Sequence, residues 1–148
     1  MDRFEERLGE PDLKLAGFQL WVHGPDTLRA GPDEDWLNVT AHCGAHGASV
    51  WASGEIVQRD LAGWVENVDF LHRELSGRAG LAPLEQNLAV TLQVDRTGGI
   101  EMVVEITPDP RNQQHRFQFD IDQTYLPAFL SQGKKLLDRY PPPGSSRG

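Results

Sequence analysis

The residues in this chain best suited to chemistry are a cluster of histidine and cysteine and several pairs of carboxylates. His42-Cys43-Gly44-Ala45-His46 places soft and borderline ligands within five residues, a set that zinc could use. Alternation argues against a site. His42 and Cys43 are neighbours on a predicted strand, so their side chains leave opposite faces, and His46 falls in the following turn. A fourth ligand would have to come from His23, His72 or His115, and no motif places any of them. The expectation is a buried thiol, surface histidines and no metal. Glu101 and Glu105 share one face of a predicted strand, and Asp120 and Asp122 share one face of the next. Acids of this kind could serve a nuclease or a glycosidase. Yet Lys14, Lys134 and Lys135, the three lysines, lie far from them in sequence, and solvated acids are the ordinary content of a polar strand face. No Gly-x-Ser-x-Gly elbow is present. Ser49 and Ser53 fall in a strand and Ser131 on a helix, with no histidine at a known spacing. Gly98-Gly99 reads as a hairpin turn rather than a phosphate loop, because it does not join a strand to a helix. The chain is therefore read as a binding protein without cofactor, not as an enzyme.

Binding requires surface, and two features offer it. Asp33-Glu34-Asp35 is a run of three acids in a long polar loop from Gly24 to Asp35. It is either partner-binding surface or a solvated loop. Trp21, Trp36 and Trp51 each stand opposite in parity to the apolar residues of their strands. If Leu20, Leu37 and Val50 face the core, the tryptophans face the other side of the sheet, among Asn38, Thr40 and Ser49. That face is either a contact patch, since tryptophan is enriched at binding hot spots, or it is covered and forms part of the core.

The elements that carry these residues follow from hydrophobic periodicity. Residues 13–23 form a first strand whose alternation slips at Gly17, where a bulge is expected. Residues 36–43 and 48–57 form the next two strands, joined by a short turn as in an antiparallel hairpin. Leu61, Trp64, Val65, Val68, Leu71 and Leu75 then recur at helical spacing, with Asp60 near the start and Gly77 as a left-handed cap. Strands follow at Leu88–Val94, Ile100–Ile106 and Phe117–Ile121. A second helix, with Thr124 as its expected N-cap, carries Leu126, Phe129, Leu130, Leu136 or Leu137, and Tyr140. Pro141-Pro142-Pro143 ends it. The order βββαβββα predicts an α+β fold, a twisted antiparallel sheet of about six strands with two helices packed on it. Residues 1–141 are read as one domain and 142–148 as a disordered tail.

The totals agree. A chain of 148 residues with 39% hydrophobic and 24% charged side chains is globular and sized for one core. Its 22 acidic against 14 basic side chains give a net charge of -8, which disfavours direct nucleic-acid binding and suits a basic protein partner. One cysteine, a charged start (Met1-Asp2-Arg3-Phe4-Glu5-Glu6-Arg7) and the lack of a long apolar run point to a soluble cytoplasmic protein without a membrane segment.

Four stretches together resemble the WapI family of bacterial immunity proteins. They are Asp35-Trp36-Leu37-Asn38-Val39, the helix bearing Leu61 and Trp64-Val65, the step Leu84-Glu85-Gln86-Asn87-Leu88, and Phe117-Gln118-Phe119-Asp120 leading to a helix that ends Arg139-Tyr140-Pro141. Gln86 stands where the family's step carries proline. The likeness spans about Leu13 to Pro141. It implies a cytoplasmic antidote that binds and blocks a co-encoded polymorphic or contact-dependent toxin, for WapI a nuclease acting on transfer RNA. It carries over no catalytic residue. The candidate contact residues are Asp33, Glu34, Asp35, Trp36, Trp51, Glu101 and Glu105. Two alternatives stand beside it. One is a small-ligand or protein-binding module that uses the tryptophan face. The other is an enzyme with Glu101, Glu105 and Asp120 as its acids.

Overall fold

A computed structural model describes residues 8–25, 36–81 and 87–141. Asp33, Glu34, Asp35, most of the Leu84–Leu88 step and the tail 142–148 lie outside the described residues.

The fold is α+β, with two four-stranded antiparallel sheets in place of the single six-stranded sheet expected. The first sheet is a meander of β1 (Leu13–Leu15), β2 (Phe18–Pro25), β3 (Trp36–Ala45) and β4 (Ala48–Val57). Helix α1 (Gln58–Glu74) follows β4 without a break and leads to the second meander. That sheet contains β5 (Arg78–Leu81), β6 (Leu88–Val94), β7 (Ile100–Ile106) and β8 (Arg116–Ile121). A 3₁₀ turn, Gln123–Tyr125, then delivers helix α2 (Leu126–Arg139).

Three local corrections have physical reasons. The parity slip at Gly17 is a two-residue turn, not a bulge. Leu15 pairs with Phe18 and Leu13 with Leu20, so side chains on the same face of this hairpin differ in parity across the turn. The bulge in this region lies further on, between Val22 and Gly24. β5 escaped the sequence reading because only Ala79 and Leu81 alternate before the chain turns away. The helix caps also differ. Leu75 takes the left-handed position at the end of α1, with φ 51°, and donates its N–H to the Leu71 carbonyl. Asp122, not Thr124, caps the start of the 3₁₀ turn by accepting from the Thr124 N–H.

A single hydrophobic cluster joins the sheets and helices. It takes Leu20, Val39 and Ile56 from the first sheet, and Val90, Met102 and Val104 from the second. The sheets therefore share one core and turn their other faces outward. Trp64 of α1 sits edge-on to both Phe18 and Phe129 and locks the helices to the first sheet. At the junction of the sheets, Gly44 donates its N–H to the Gly17 carbonyl. A Cβ at Gly17 would overlap the Gly44 carbonyl oxygen and lie 2.8 Å from the Phe119 ring.

Candidate functional site

The register of the first sheet sets out its outward face in rows. Gln19, His42 and Trp51 form one row, and Trp21, Thr40 and Ser53 the next. Trp36 lies at the far end, paired with Val57. All three tryptophans take the outward face, as parity requires, but they differ in cover. Trp21 is 3% exposed and Trp36 is 7% exposed, while Trp51 is half-buried. Trp21 stacks on Trp51 at 5.5 Å between ring centroids and donates its indole N–H to the Gly9 carbonyl at 3.0 Å. Gly9, ahead of β1, thus lies over this part of the face. Of the two alternatives left open by the sequence, Trp21 and Trp36 belong to a covered layer.

The same face holds a hydrogen-bond chain that spacing did not reveal. His42 Nδ1 lies 2.9 Å from Gln19 Oε1, and His42 Nε2 lies 2.6 Å from Ser49 Oγ. The His42 ring also tilts over Trp51 at 4.4 Å. With the proton on Nδ1, Gln19 accepts it and Nε2 accepts from the Ser49 hydroxyl, the tautomer a nucleophile–base pair needs. The only sequence signal was the hairpin itself, since its two-residue turn sets the β3–β4 register and so brings His42 near Ser49. Ser49 itself is exposed, at the hairpin end of this face. The chain reads as an anchor for the Trp51 ring.

His42 is half-buried on this face, whereas its neighbour Cys43 is fully buried in the core. The opposed parity seen in the sequence therefore holds in the fold. Burial pushes the Cys43 thiol up to about 12, opposed only by the Gly44 backbone. A buried thiol in that state is a poor nucleophile.

The outward face of the second sheet is different. Its rows are Arg78, Gln93, Glu101 and Asp120, then Gly80, Thr91, Val103 and Gln118, then Ala89, Glu105 and Arg116. None of these side chains is buried. Glu101 and Asp120 are direct cross-strand partners with like charge. Gln118 donates to Glu101 at 3.3 Å, and Glu105 stands opposite Arg116. Glu101 and Glu105 share one face of β7, as expected, about 13 Å apart along the strand. The proposed contact residues are thus not brought into one site. Trp36 and Trp51 lie on one outward face, Glu101 and Glu105 on the other.

Between the helices runs a groove of about 760 Å³, formed by Ala62, Val65, Glu66 and Asp69 of α1 with Leu130, Ser131, Lys134, Leu137 and Asp138 of α2. Sequence periodicity placed Leu130 in the core stripe. It is half-buried at the groove. No helix among the described residues is long and apolar enough to cross a membrane.

Comparison with known proteins gives one assignment. The sequence model of the immunity protein WapI-like family matches residues 11–141. No curated protein matches the chain. Among solved structures, the plant transcriptional regulator PBF-2 is similar with a TM-score of 0.47 and 7% identity, over 86% of this chain and 84% of that one.

Proposed function

The chain belongs to the WapI-like immunity protein family, and from that membership we propose that it is a bacterial antidote that binds and neutralises a co-encoded toxin domain. The observation that carries the reading is the extent of the match, which runs from the residue before Asp12 past the end of α2 and so takes in both described sheets with α1 and α2. The reading is of binding without catalysis. A net charge of -8 suits a basic partner such as a nuclease domain, because complementary fields speed encounter.

Among the described residues, the uncovered face of the second sheet supports this better than the tryptophan layer. Glu101 and Asp120 place two carboxylates side by side in solvent, with Glu105 further along β7. Asp33, Glu34 and Asp35 would add a second acidic element. The test is co-expression of the chain with the toxic domain encoded beside its gene. Growth should be rescued, and the purified pair should associate more slowly as salt is raised, with dissociation little changed. Failure to rescue growth from, or bind, any neighbouring toxin would sink the immunity reading.

A further inference from the structure

The helices approach closely at one level. A Cβ on Gly133 would lie 2.8 Å from Cγ1 of Val65, so only glycine allows this approach. Beside that contact the groove opens. Its floor is apolar, formed by Ala62 and Val65 from α1 and Leu130 and Leu137 from α2. Its rim is acidic. Glu66, Asp69 and Asp138 stand against Lys134 within the groove and Arg73 beside it, which pairs with Asp69 at 3.4 Å, leaving a local net charge of -1. One turn beyond Glu66, Phe70 is 54% exposed, the largest exposure among the exposed bulky apolar residues described, with the Arg73 guanidinium over its ring at 5.8 Å.

An apolar floor with an acidic rim, continued by an exposed aromatic ring, is the arrangement that receives an amphipathic segment bearing cations. We propose that this groove between α1 and α2 is the docking site for a lysine- or arginine-bearing amphipathic segment of the toxin domain. Its apolar side chains lie on Ala62, Leu130 and Leu137, and its cations face the rim at Glu66. The proposal rests on the immunity reading and adds a contact surface to the acidic face of the second sheet. Charge selects this occupant. A second copy of the chain would present the same patch to itself across a two-fold axis, setting like charge against like. An anionic membrane would be repelled by the same rim.

The test uses the full chain and the toxin domain encoded beside its gene, inactivated so that it can be purified. Calorimetry on the exposed double variant Glu66→Lys with Ser131→Arg should show affinity at least tenfold weaker than the wild type, with the thermal midpoint unchanged. Phe70→Ala should weaken binding severalfold. On the unmutated complex, the methyl resonances of Ala62, Leu130 and Leu137 should shift on addition of the toxin domain, a readout that survives even if a variant folds poorly. Binding within twofold of wild type by the folded double variant, or unmoved methyls in a formed complex, overturns the groove and leaves the immunity reading intact. A wild-type chain that binds no neighbouring toxin overturns both. A toxin-free chain that sediments as a dimer, broken by the double variant, assigns the groove to self-association and overturns the proposal.

Discussion

The first sheet turns Trp21, Trp36 and Trp51 away from the core, and the second turns Glu101, Val103 and Glu105 away from it. Both faces arise from the same period-two alternation. One is nevertheless closed over at Trp21, Trp36 and Thr40. Gly9, ahead of β1, lies over Trp21 through its carbonyl, whereas none of the corresponding side chains on the second sheet is buried. The alternation of a strand reports which side each residue takes. Whether that side meets water depends on chain that arrives from elsewhere.

The largest effect expected from this contrast is at Trp21. Trp21→Ala should cost ~3–5 kcal/mol in urea unfolding, as for a core aromatic. A loss below about 1 kcal/mol would mean that the tryptophan face is open, which would return it to the list of contact surfaces. Next is the seam that holds the two sheets in register. Gly17→Ala forces a methyl group against Gly44 and Phe119, and should cost ~2–3 kcal/mol. An unchanged midpoint would show that the sheets can slide apart without penalty.

His42 and Cys43 repeat the comparison on one strand, since one faces outward and the other inward. The Cys43 thiol is raised from 9.0 to about 12 in the folded chain. The unfolded chain releases this proton first as pH climbs, so the stability linked to it is complete below about 9 and is lost progressively toward about 12. At pH 8 a thiol reagent should label native Cys43 only on unfolding, while Cys43→Ala should flatten the alkaline decline. Rapid labelling of the folded chain would place the thiol at the surface.

The smallest effect belongs to the open face. Asp120→Lys replaces a like-charge partner of Glu101 by an opposite one and should stabilise the fold by ~0.2–1 kcal/mol. It should also slow association with a basic partner. A destabilisation above 1 kcal/mol would mean that Asp120 is tied into structure and that the face is less free than its exposure indicates.

These contrasts also show what could be read from residues alone. β3, β4, β6, β7 and β8 were legible because each alternates over several positions, and α1 because its buried residues recur at three and four. The single sheet was wrong because alternation cannot say which strands share hydrogen bonds. β4 leads straight into α1, and the chain that returns from it builds a separate ladder. Two other features depended on pairing in space. The His42–Ser49 contact follows from a hairpin register, and the groove from the crossing of two helices at Gly133. Leu130 and Leu137 fit the helical stripe equally well whether they face a core or a groove.

The closure of β1 has a kinetic consequence. The backbone N–H of Lys14 is received by the side chain of Gln132, 118 positions later, and Arg139 reaches Asp12 across 127. A chain emerging from the ribosome therefore completes its first edge strand only after its last helix has been made. Contacts so distant in sequence slow folding and leave a bare strand edge exposed in the meantime. Ribosome-bound or truncated chains that lack α2 should be prone to sticking edge to edge, whatever the intrinsic stability of the first sheet.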